Sequence, residues 1–271
     1  MKPEIPQMTK THMTSFTRPV LVKLGFYHYT GNMPSRYQIK PYCADSFYHL
    51  YNRGVEKHSI FNDDQDYGVF LSYVKTYLEP KDEKGLSTIL LDPLSSSKEK
   101  YRAQKLLRLN NFFGEISLPS YCLLPNHFHF LVFQKSADAI DRFMNSLFTR
   151  FTMYMNKKNK RVGPLFQSVY KAVLVDSDEQ LLYTSRYIHR NPIGIHRSGR
   201  RYIRMLATYP YSSYPDYLGI RKTPWVESET ILSFFSTKTK NSYQSFVEDP
   251  EETEREIQLI GKKLPEPLEE F

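Results

Sequence analysis

Two histidines separated by one residue are the first feature of this sequence that could do chemistry. His127 and His129 flank Phe128 within the apolar run 123–133. Side chains alternate along a strand, so both imidazoles share one face, about 6–7 Å apart at the backbone, while Phe128 enters the core. Two such imidazoles can bind one cation, for example manganese, zinc or iron. Paired histidines without a ligand are equally compatible with this spacing, and both interpretations stay open.

The second feature is a tyrosine placed four residues before an asparagine. On a helix, the spacing of Tyr187 and Asn191 puts both side chains on one side. A phenol can act as a covalent nucleophile, and an amide oxygen can bind a hard cation. Tyr183 lies one turn earlier on the same face and competes for the role. A core tyrosine is a further alternative in a chain with 21 tyrosines.

Hydrophobic periodicity and turn signals predict the elements that position these side chains. The expected order is a strand at 46–53, a helix at 63–78, a hairpin of 114–123 and 126–133, a helix at 138–156, a strand at 165–175 and a helix from 177 to about 191. Ser177 and Gln180 form a capping-box pattern, and Pro192 ends the last helix. This order predicts an α+β domain with one mainly antiparallel sheet flanked by helices.

Composition favours a nucleic-acid partner. The formal net charge is +8, and aromatic residues make up 15% of the chain. Lysine and arginine neutralise phosphates, and aromatic rings stack on bases. Two cysteines, Cys43 and Cys122, exclude a zinc cluster built on cysteine and a disulfide framework. Without a long apolar run or an apolar signal core, we expect a soluble, cytoplasmic protein with no membrane partner.

Charge and proline content divide the chain into three parts. Residues 1–44 are predicted to form a basic N-terminal arm, and 45–220 the catalytic domain. An insertion interrupts that domain at about 79–111, where a basic helical stretch is expected. Residues 221–271 contain 7 basic and 11 acidic residues and are predicted to form an acidic C-terminal tail.

Five segments together resemble a known family. They are YHLYNRG (48–54), LLPNHFHFLV (123–132), GPLFQSVYKAVLV (163–175), RYIHRNPIG (186–194) and YPYSSYPDYLG (209–219). These segments, in this order, are similar to those of the single-tyrosine HUH transposases, most of all the REP-associated tyrosine transposases of bacteria. The resemblance covers about 46–219. It implies a ferredoxin-like or RRM-like sheet and a bacterial protein that acts on DNA in the nucleoid.

The resemblance also implies roles for individual residues. His127, His129 and Asn191 would bind a divalent metal, Mg²⁺ or Mn²⁺, and Tyr187 would be the nucleophile, which leaves Tyr183 a structural role. The implied reaction is cleavage and transfer of single-stranded or hairpin DNA through a 5′-phosphotyrosine intermediate, the chemistry of DNA transposition. Relatives act as monomers or as homodimers.

Basic side chains around these motifs are the candidate DNA contacts. They are Lys157, Lys158, Lys160, Arg161, Lys171, Arg186 and Arg190. Each could instead be an ordinary solvated cation.

Two other functions remain compatible with the sequence. One is a DNA-binding or regulatory protein derived from a transposase that no longer cuts DNA. The other is a phosphoesterase that uses water as its nucleophile, which would need a carboxylate-rich site. Asp138 and Asp141 are the nearest candidates, although both are better explained as acids in the first turn of a helix.

Overall fold

A four-stranded antiparallel sheet forms the centre of the structure, a computed structural model that describes residues 42–193, 200–236, 242–249, 252 and 259. The strands are β1 (Ser46–Arg53), β2 (Ile116–Leu124), β3 (His127–Gln134) and β4 (Lys171–Val175). Their order across the sheet is β2-β3-β1-β4, and all neighbouring pairs are antiparallel. This is the split βαβ arrangement of ferredoxin-like folds. The predicted α+β fold is therefore confirmed.

Nine helices of four or more residues lie within the described part of the chain. They are α1 (Asp64–Leu78), α2 (Glu83–Leu91), α3 (Ser97–Leu107), α4 (Ala139–Lys158), α5 (Asp178–Arg190), α6 (Arg200–Thr208), α7 (Tyr214–Tyr217), α8 (Glu229–Leu232) and α9 (Tyr243–Glu248). None of the described helices is long and apolar enough to cross a membrane. Most of the predicted N-terminal arm, residues 1–41, lies outside the described residues.

The larger hydrophobic core lies between one face of the sheet and the helices α1 and α4. Phe128, Phe130 and Val132 of β3 enter it, as period-two alternation predicts, and Phe143 and Phe151 of α4 pack against them. Because successive side chains of a strand point to opposite faces, the intervening histidines point away from this core.

The opposite face of the sheet is covered by α5, α7, α8 and α9. Leu131 of β3 and Ile188 of α5 meet there in a second core, together with Tyr214 and Tyr243. The packing of this core holds α5 against β2 and β3 and so determines the positions of the α5 side chains relative to the sheet.

Two local predictions need correction. The strand predicted at 165–175 is regular only from Lys171 to Val175. Before Lys171, the pairing with β1 continues only as an isolated bridge between Phe166 and Gly54. At the start of α5, Ser177 accepts from the backbone N–H of Gln180 as expected. The Gln180 side chain, however, accepts from the backbone N–H of Asp176 and not from Ser177, so only half of the capping box forms.

The insertion and the C-terminal segment are both more structured than their sequences indicate. The predicted basic helical stretch at 101–111 is helical only as far as Leu107, where α3 ends, and α2 is an additional helix that was not predicted. The Lys81 ammonium group donates to the carbonyls of Leu107 and Leu109. These hydrogen bonds join the beginning of the insertion to its end. Beyond residue 220, Trp225 packs into the larger core and Val247 into the second, so the packed domain continues past the expected boundary.

A fully buried histidine in the second core predicts how stability depends on pH. His189 forms hydrogen bonds with the hydroxyls of Tyr243 and Ser213, and burial lowers its pKa to about 3. The unfolded chain takes up this proton near pH 6.5, whereas the folded chain resists it. The contribution of His189 is therefore complete above about pH 6.5 and falls by about 1.4 kcal/mol per pH unit below it. Urea unfolding near pH 7 and near pH 5 measures this loss, and a His189→Asn variant should show a shallower pH dependence. Equal pH dependence in both proteins would contradict the prediction.

Candidate active site

The HFH segment presents its two histidines on the face of the sheet that α5 covers. His127 and His129 are almost entirely buried, and the centroids of their rings lie 5.1 Å apart with perpendicular planes. Between them, Phe128 anchors β3 in the larger core. Packing on the opposite face of the sheet thus holds the strand in place, and both imidazoles face the region between β3 and α5.

The tyrosine and the asparagine reach this space because of where α5 begins and ends. The helix starts after Ser177, runs back across the sheet, and gives way at Asn191 to a short 3-10 turn that contains Pro192. The Tyr187 and Asn191 side chains lie one turn apart on the side of α5 that meets β3. One turn of α5 and two residues of β3 cover similar distances, so the two α5 side chains can lie beside the two histidines.

All four residues that the sequence singles out meet within one chain. The ring centroid of Tyr187 lies 5.4 Å from that of His129, with the two planes perpendicular. At the end of the helix, the amide oxygen of Asn191 lies 3.4 Å from Nε2 of His127. A phenol, two imidazoles and an amide oxygen therefore border one small region.

Hydrogen bonds around His127 determine which of its nitrogens carries a proton. The Asn126 amide nitrogen donates to the carbonyl of Lys57, so its oxygen faces Nδ1 of His127 at 2.6 Å and accepts a hydrogen bond from Nδ1–H. The neutral ring then has a lone pair on Nε2. The Asn191 amide nitrogen donates to the carbonyl of Tyr187, so its oxygen faces that lone pair. Two acceptor atoms 3.4 Å apart favour a cation between them.

A third histidine, His49 of β1, completes the cluster. Its Nε2 lies 2.9 Å from Nδ1 of His129, and its ring contacts that of Tyr187 edge-on. Burial lowers the pKa of His49 to about 3. Burial, with His127, His49 and Arg53 nearby, also lowers the pKa of His129 well below its usual value. Both imidazoles are therefore neutral near pH 7, the form in which histidine binds metals.

The residues that sequence reasoning missed at this site lie on β1. His49, Tyr51 and Arg53 share the face of the histidine pair, because β1 pairs with β3 so that Tyr51 is opposite His129 and Arg53 opposite His127. The Tyr51 ring stacks beside His129 at a centroid distance of 5.7 Å. Alternation in the segment YHLYNR places these three residues on one face. The strand's partner and register, however, depend on the fold.

Two predicted DNA contacts prove to be buried. Arg186 donates to the carbonyls of Phe246 and Asp249, and Arg190 donates to the carbonyl of Val247. Both guanidinium groups thus satisfy carbonyls at the C-terminal end of α9, where a cation is favoured. In this conformation neither guanidinium group is exposed to solvent, and a contact of Arg186 or Arg190 with DNA stays a prediction. Tyr183 is also buried, and its hydroxyl donates to Glu252, which agrees with a structural role.

The remaining basic candidates differ in their surroundings. Lys158 is bonded to both Asp63 and Asp66, each at 2.7 Å, so its charge is already paired within the protein. Lys157 and Lys160 are exposed at the end of α4, and Arg161 donates to the carbonyl of Pro164. Lys171 lies on β4, with its ammonium 5.7 Å from the centre of the Tyr51 ring. Lys157, Lys160, Arg161 and Lys171 therefore remain candidates.

Carboxylates do not take part in the site as the structure describes it. Asp138 pairs with Arg142, and Asp141 accepts from the hydroxyl of Tyr170. Within the described residues, no group of three or more His, Cys, Asp or Glu side chains could hold a metal ion. The candidate ligand set is of another kind, two imidazoles and an amide oxygen. The carboxylate-rich site of a phosphoesterase is not found in this part of the chain.

Two comparisons with known proteins find similarity to transposases. One solved structure that resembles the chain is that of a REP-associated tyrosine transposase bound to a REP hairpin. Its sequence identity is 10%, its TM-score is 0.39, and the alignment covers 75% of this chain and 94% of that one. The search of curated proteins gives no match. Residues 97–191 match the family model of IS200-like transposases, and this range contains His127, His129, Tyr187 and Asn191. The predicted resemblance to the single-tyrosine transposases is therefore confirmed for residues 97–191, where the chain is similar to the IS200-like transposases.

Proposed function

We propose that this protein cuts and rejoins single-stranded DNA through a covalent link to Tyr187, in the course of DNA transposition. The observation that carries the proposal is the meeting of Tyr187 with His127, His129 and Asn191 in one chain. Each group has a chemical use there. The phenol supplies a nucleophile, and the two imidazoles and the amide oxygen supply ligands for a cation.

The proposed ligands are Nε2 of His127, Nε2 of His129 and Oδ1 of Asn191. A divalent ion, Mg²⁺ or Mn²⁺, fits this set because the hydrogen bonds of Asn126 and Asn191 leave facing acceptor atoms. When bound, such an ion polarises the scissile phosphate and neutralises developing charge. Nitrogen ligands are also compatible with zinc, so identifying the ion requires a binding measurement.

The proposed reaction proceeds by direct attack of Tyr187 on DNA. The phenolic oxygen forms a bond to phosphorus, the bond from phosphorus to the 3′ oxygen breaks, and that oxygen takes up a proton. The phenolic proton leaves to solvent. The product is a 5′-phosphotyrosine and a free 3′-hydroxyl. Since one ester replaces another, a DNA 3′-hydroxyl can reverse the step and join strands without ATP.

The geometry supports a preorganised nucleophile. Tyr187 is held edge-on against His49 and His129, and the second core packs α5 onto the sheet behind it. Fixing the phenol next to the candidate ligands reduces the entropy that the attack would otherwise lose. Because every group comes from the same chain, a second subunit is not needed to complete this site.

A covalent-adduct assay tests the proposal. The protein is incubated with labelled single-stranded hairpin DNA and Mn²⁺ or Mg²⁺, and the products are separated on a denaturing gel. We expect a protein–DNA band that a chelator removes, and peptide mapping should place the nucleotide on Tyr187. Binding without a covalent band would instead indicate a DNA-binding protein that does not cut. Cleavage without an adduct would indicate a water nucleophile.

Exposed lysines at the end of α4 give a separate prediction about DNA binding. Helix α4 runs antiparallel to β3, starting from the end of that strand. Lys157 and Lys160 therefore lie near the beginning of β3, the end of the strand that carries His127. Replacing both with alanine should weaken binding and flatten its dependence on salt by about one unit of slope each. Fluorescence anisotropy over a range of salt concentrations measures the slope.

Lys135 provides the matched control for this measurement. It is exposed at the opposite end of β3, directly after the last residue of that strand. A Lys135→Ala variant should retain the salt dependence of the parent protein. If its salt dependence flattens as much as that of the double variant, DNA binding is not confined to the end of β3 that carries His127.

A further inference from the structure

The hydrogen bond between two buried histidines on neighbouring strands points to a further positioning residue. His49 and His129 are not opposite each other, since His49 pairs with Leu131 and His129 with Tyr51. The two imidazoles nevertheless reach across the diagonal, with 2.9 Å between Nε2 of His49 and Nδ1 of His129. Their planes are tilted by only 24°. A nearly coplanar contact of this length aligns one shared N–H between the rings.

The direction of that hydrogen bond decides what His129 can bind. If His49 donates, the proton of neutral His129 sits on Nε2, which then has no lone pair for a cation. If His129 donates, its Nε2, on the far side of the ring, holds the lone pair. Within the described residues, the bond to His49 is the side-chain hydrogen bond that His129 makes. Only donation by His129 leaves its Nε2 lone pair available beside Nε2 of His127 and Oδ1 of Asn191, as the proposed cation site requires.

We propose that His49 is a positioning residue that accepts a hydrogen bond from Nδ1–H of His129 and thereby keeps the Nε2 lone pair of His129 available to a divalent cation. The inference rests on the proposed function. His127 has the same kind of support, because the oxygen of Asn126 accepts from its Nδ1. Each candidate imidazole ligand thus has an acceptor behind it, an arrangement that fixes tautomer and ring orientation in metal sites.

The surroundings of His49 show why it can hold this orientation. Its side chain is fully buried in β1 between the rings of Tyr51, His129 and Tyr187. Tyr51 also stacks beside His129, so the ligand ring is confined on one side by an aromatic face and at Nδ1 by a hydrogen bond. His49 touches neither substrate nor ion in this arrangement. Its effect passes through His129.

Two measurements test the inference without relying on DNA cleavage. Nitrogen-15 NMR of the parent protein should show His129 protonated on Nδ1. Titration with Mn²⁺, followed by electron paramagnetic resonance, should show a loss of affinity of about 10- to 100-fold in a His49→Phe variant, which keeps a ring but removes the acceptor. A His49→Gln variant, whose amide oxygen can accept from His129, should recover part of that affinity. Exposed His58, replaced by phenylalanine, is the matched control and should bind Mn²⁺ like the parent.

The outcomes separate this inference from the proposed function. A proton on Nε2 of His129 in the parent protein overturns the role of His49, and this holds even if the His49→Phe variant does not fold. Unchanged Mn²⁺ affinity in a folded His49→Phe variant overturns it as well. If Mn²⁺ binds as expected but no phosphotyrosine forms on DNA, the proposed function fails while the role of His49 stands.

Discussion

Replacing Tyr187 with phenylalanine is expected to abolish the covalent protein–DNA band. Phenylalanine keeps the ring that packs against His49 and His129 and removes only the oxygen that would attack phosphorus. Loss of a nucleophile reduces such reactions by at least about 1,000-fold, which places the variant below detection on a gel. DNA binding should persist, since the phenol contributes no charge. A denaturing gel for the adduct and an anisotropy titration for binding measure the two quantities in the same preparation.

Tyr183 supplies the matched control for this experiment. It lies one turn earlier on the same helix, and its hydroxyl donates to Glu252 away from the histidines. A Tyr183→Phe variant should therefore form the adduct at nearly the rate of the parent protein. The opposite pattern, with an adduct from Tyr187→Phe and none from Tyr183→Phe, would move the nucleophile to Tyr183.

Replacing His127 with alanine is expected to cost at least about 100-fold in metal-dependent cleavage, since loss of an outer-shell partner alone costs about 10- to 100-fold. The substitution removes Nε2, one of the two acceptor atoms that face each other at 3.4 Å. Higher Mn²⁺ concentration should restore part of the rate, because weaker binding can be offset by mass action. Initial rates over a Mn²⁺ titration measure both the loss and its recovery.

An exposed histidine on the loop after β1 tests whether the effect is specific. The His58 side chain is exposed and pairs with Glu56 at 3.7 Å. The His58→Ala variant should retain the rate and metal dependence of the parent protein. If His127→Ala cleaves DNA normally at every Mn²⁺ concentration, the ligand set proposed for this site is incorrect.

The fate of the arginines on α5 shows how packing can redirect a charge. Arg186 and Arg190 flank Tyr187 in sequence, and a basic residue next to a nucleophile suggests phosphate binding. In the structure, α9 lies against α5, and its carbonyls accept from both guanidinium groups. Burial lowers the pKa of Arg186 to about 10, which still leaves it charged near pH 7. These cations therefore fasten the C-terminal segment to the helix that carries Tyr187.

Local spacing placed the candidate side chains on common faces, and the resemblance to a known family selected Tyr187 over Tyr183. Alternation along β3 places His127 and His129 together opposite the core, and the i, i+4 spacing on α5 does the same for Tyr187 and Asn191. These relationships hold within a single strand or helix, so they need no knowledge of the fold. Up to Asn191, the same reasoning predicted the order of strands and helices correctly, apart from α2 and the length of β4. It did not predict the helices that follow, α6 to α9.

Only the tertiary structure decided which of these groups meet and what supports them. His49 joins the cluster because β1 and β3 pair in a register that brings it diagonally to His129. Lys158 is paired with acids of the same chain because α4 ends beside the start of α1. Register and helix packing depend on contacts between residues far apart in the chain, and side-chain periodicity within one element carries no information about them.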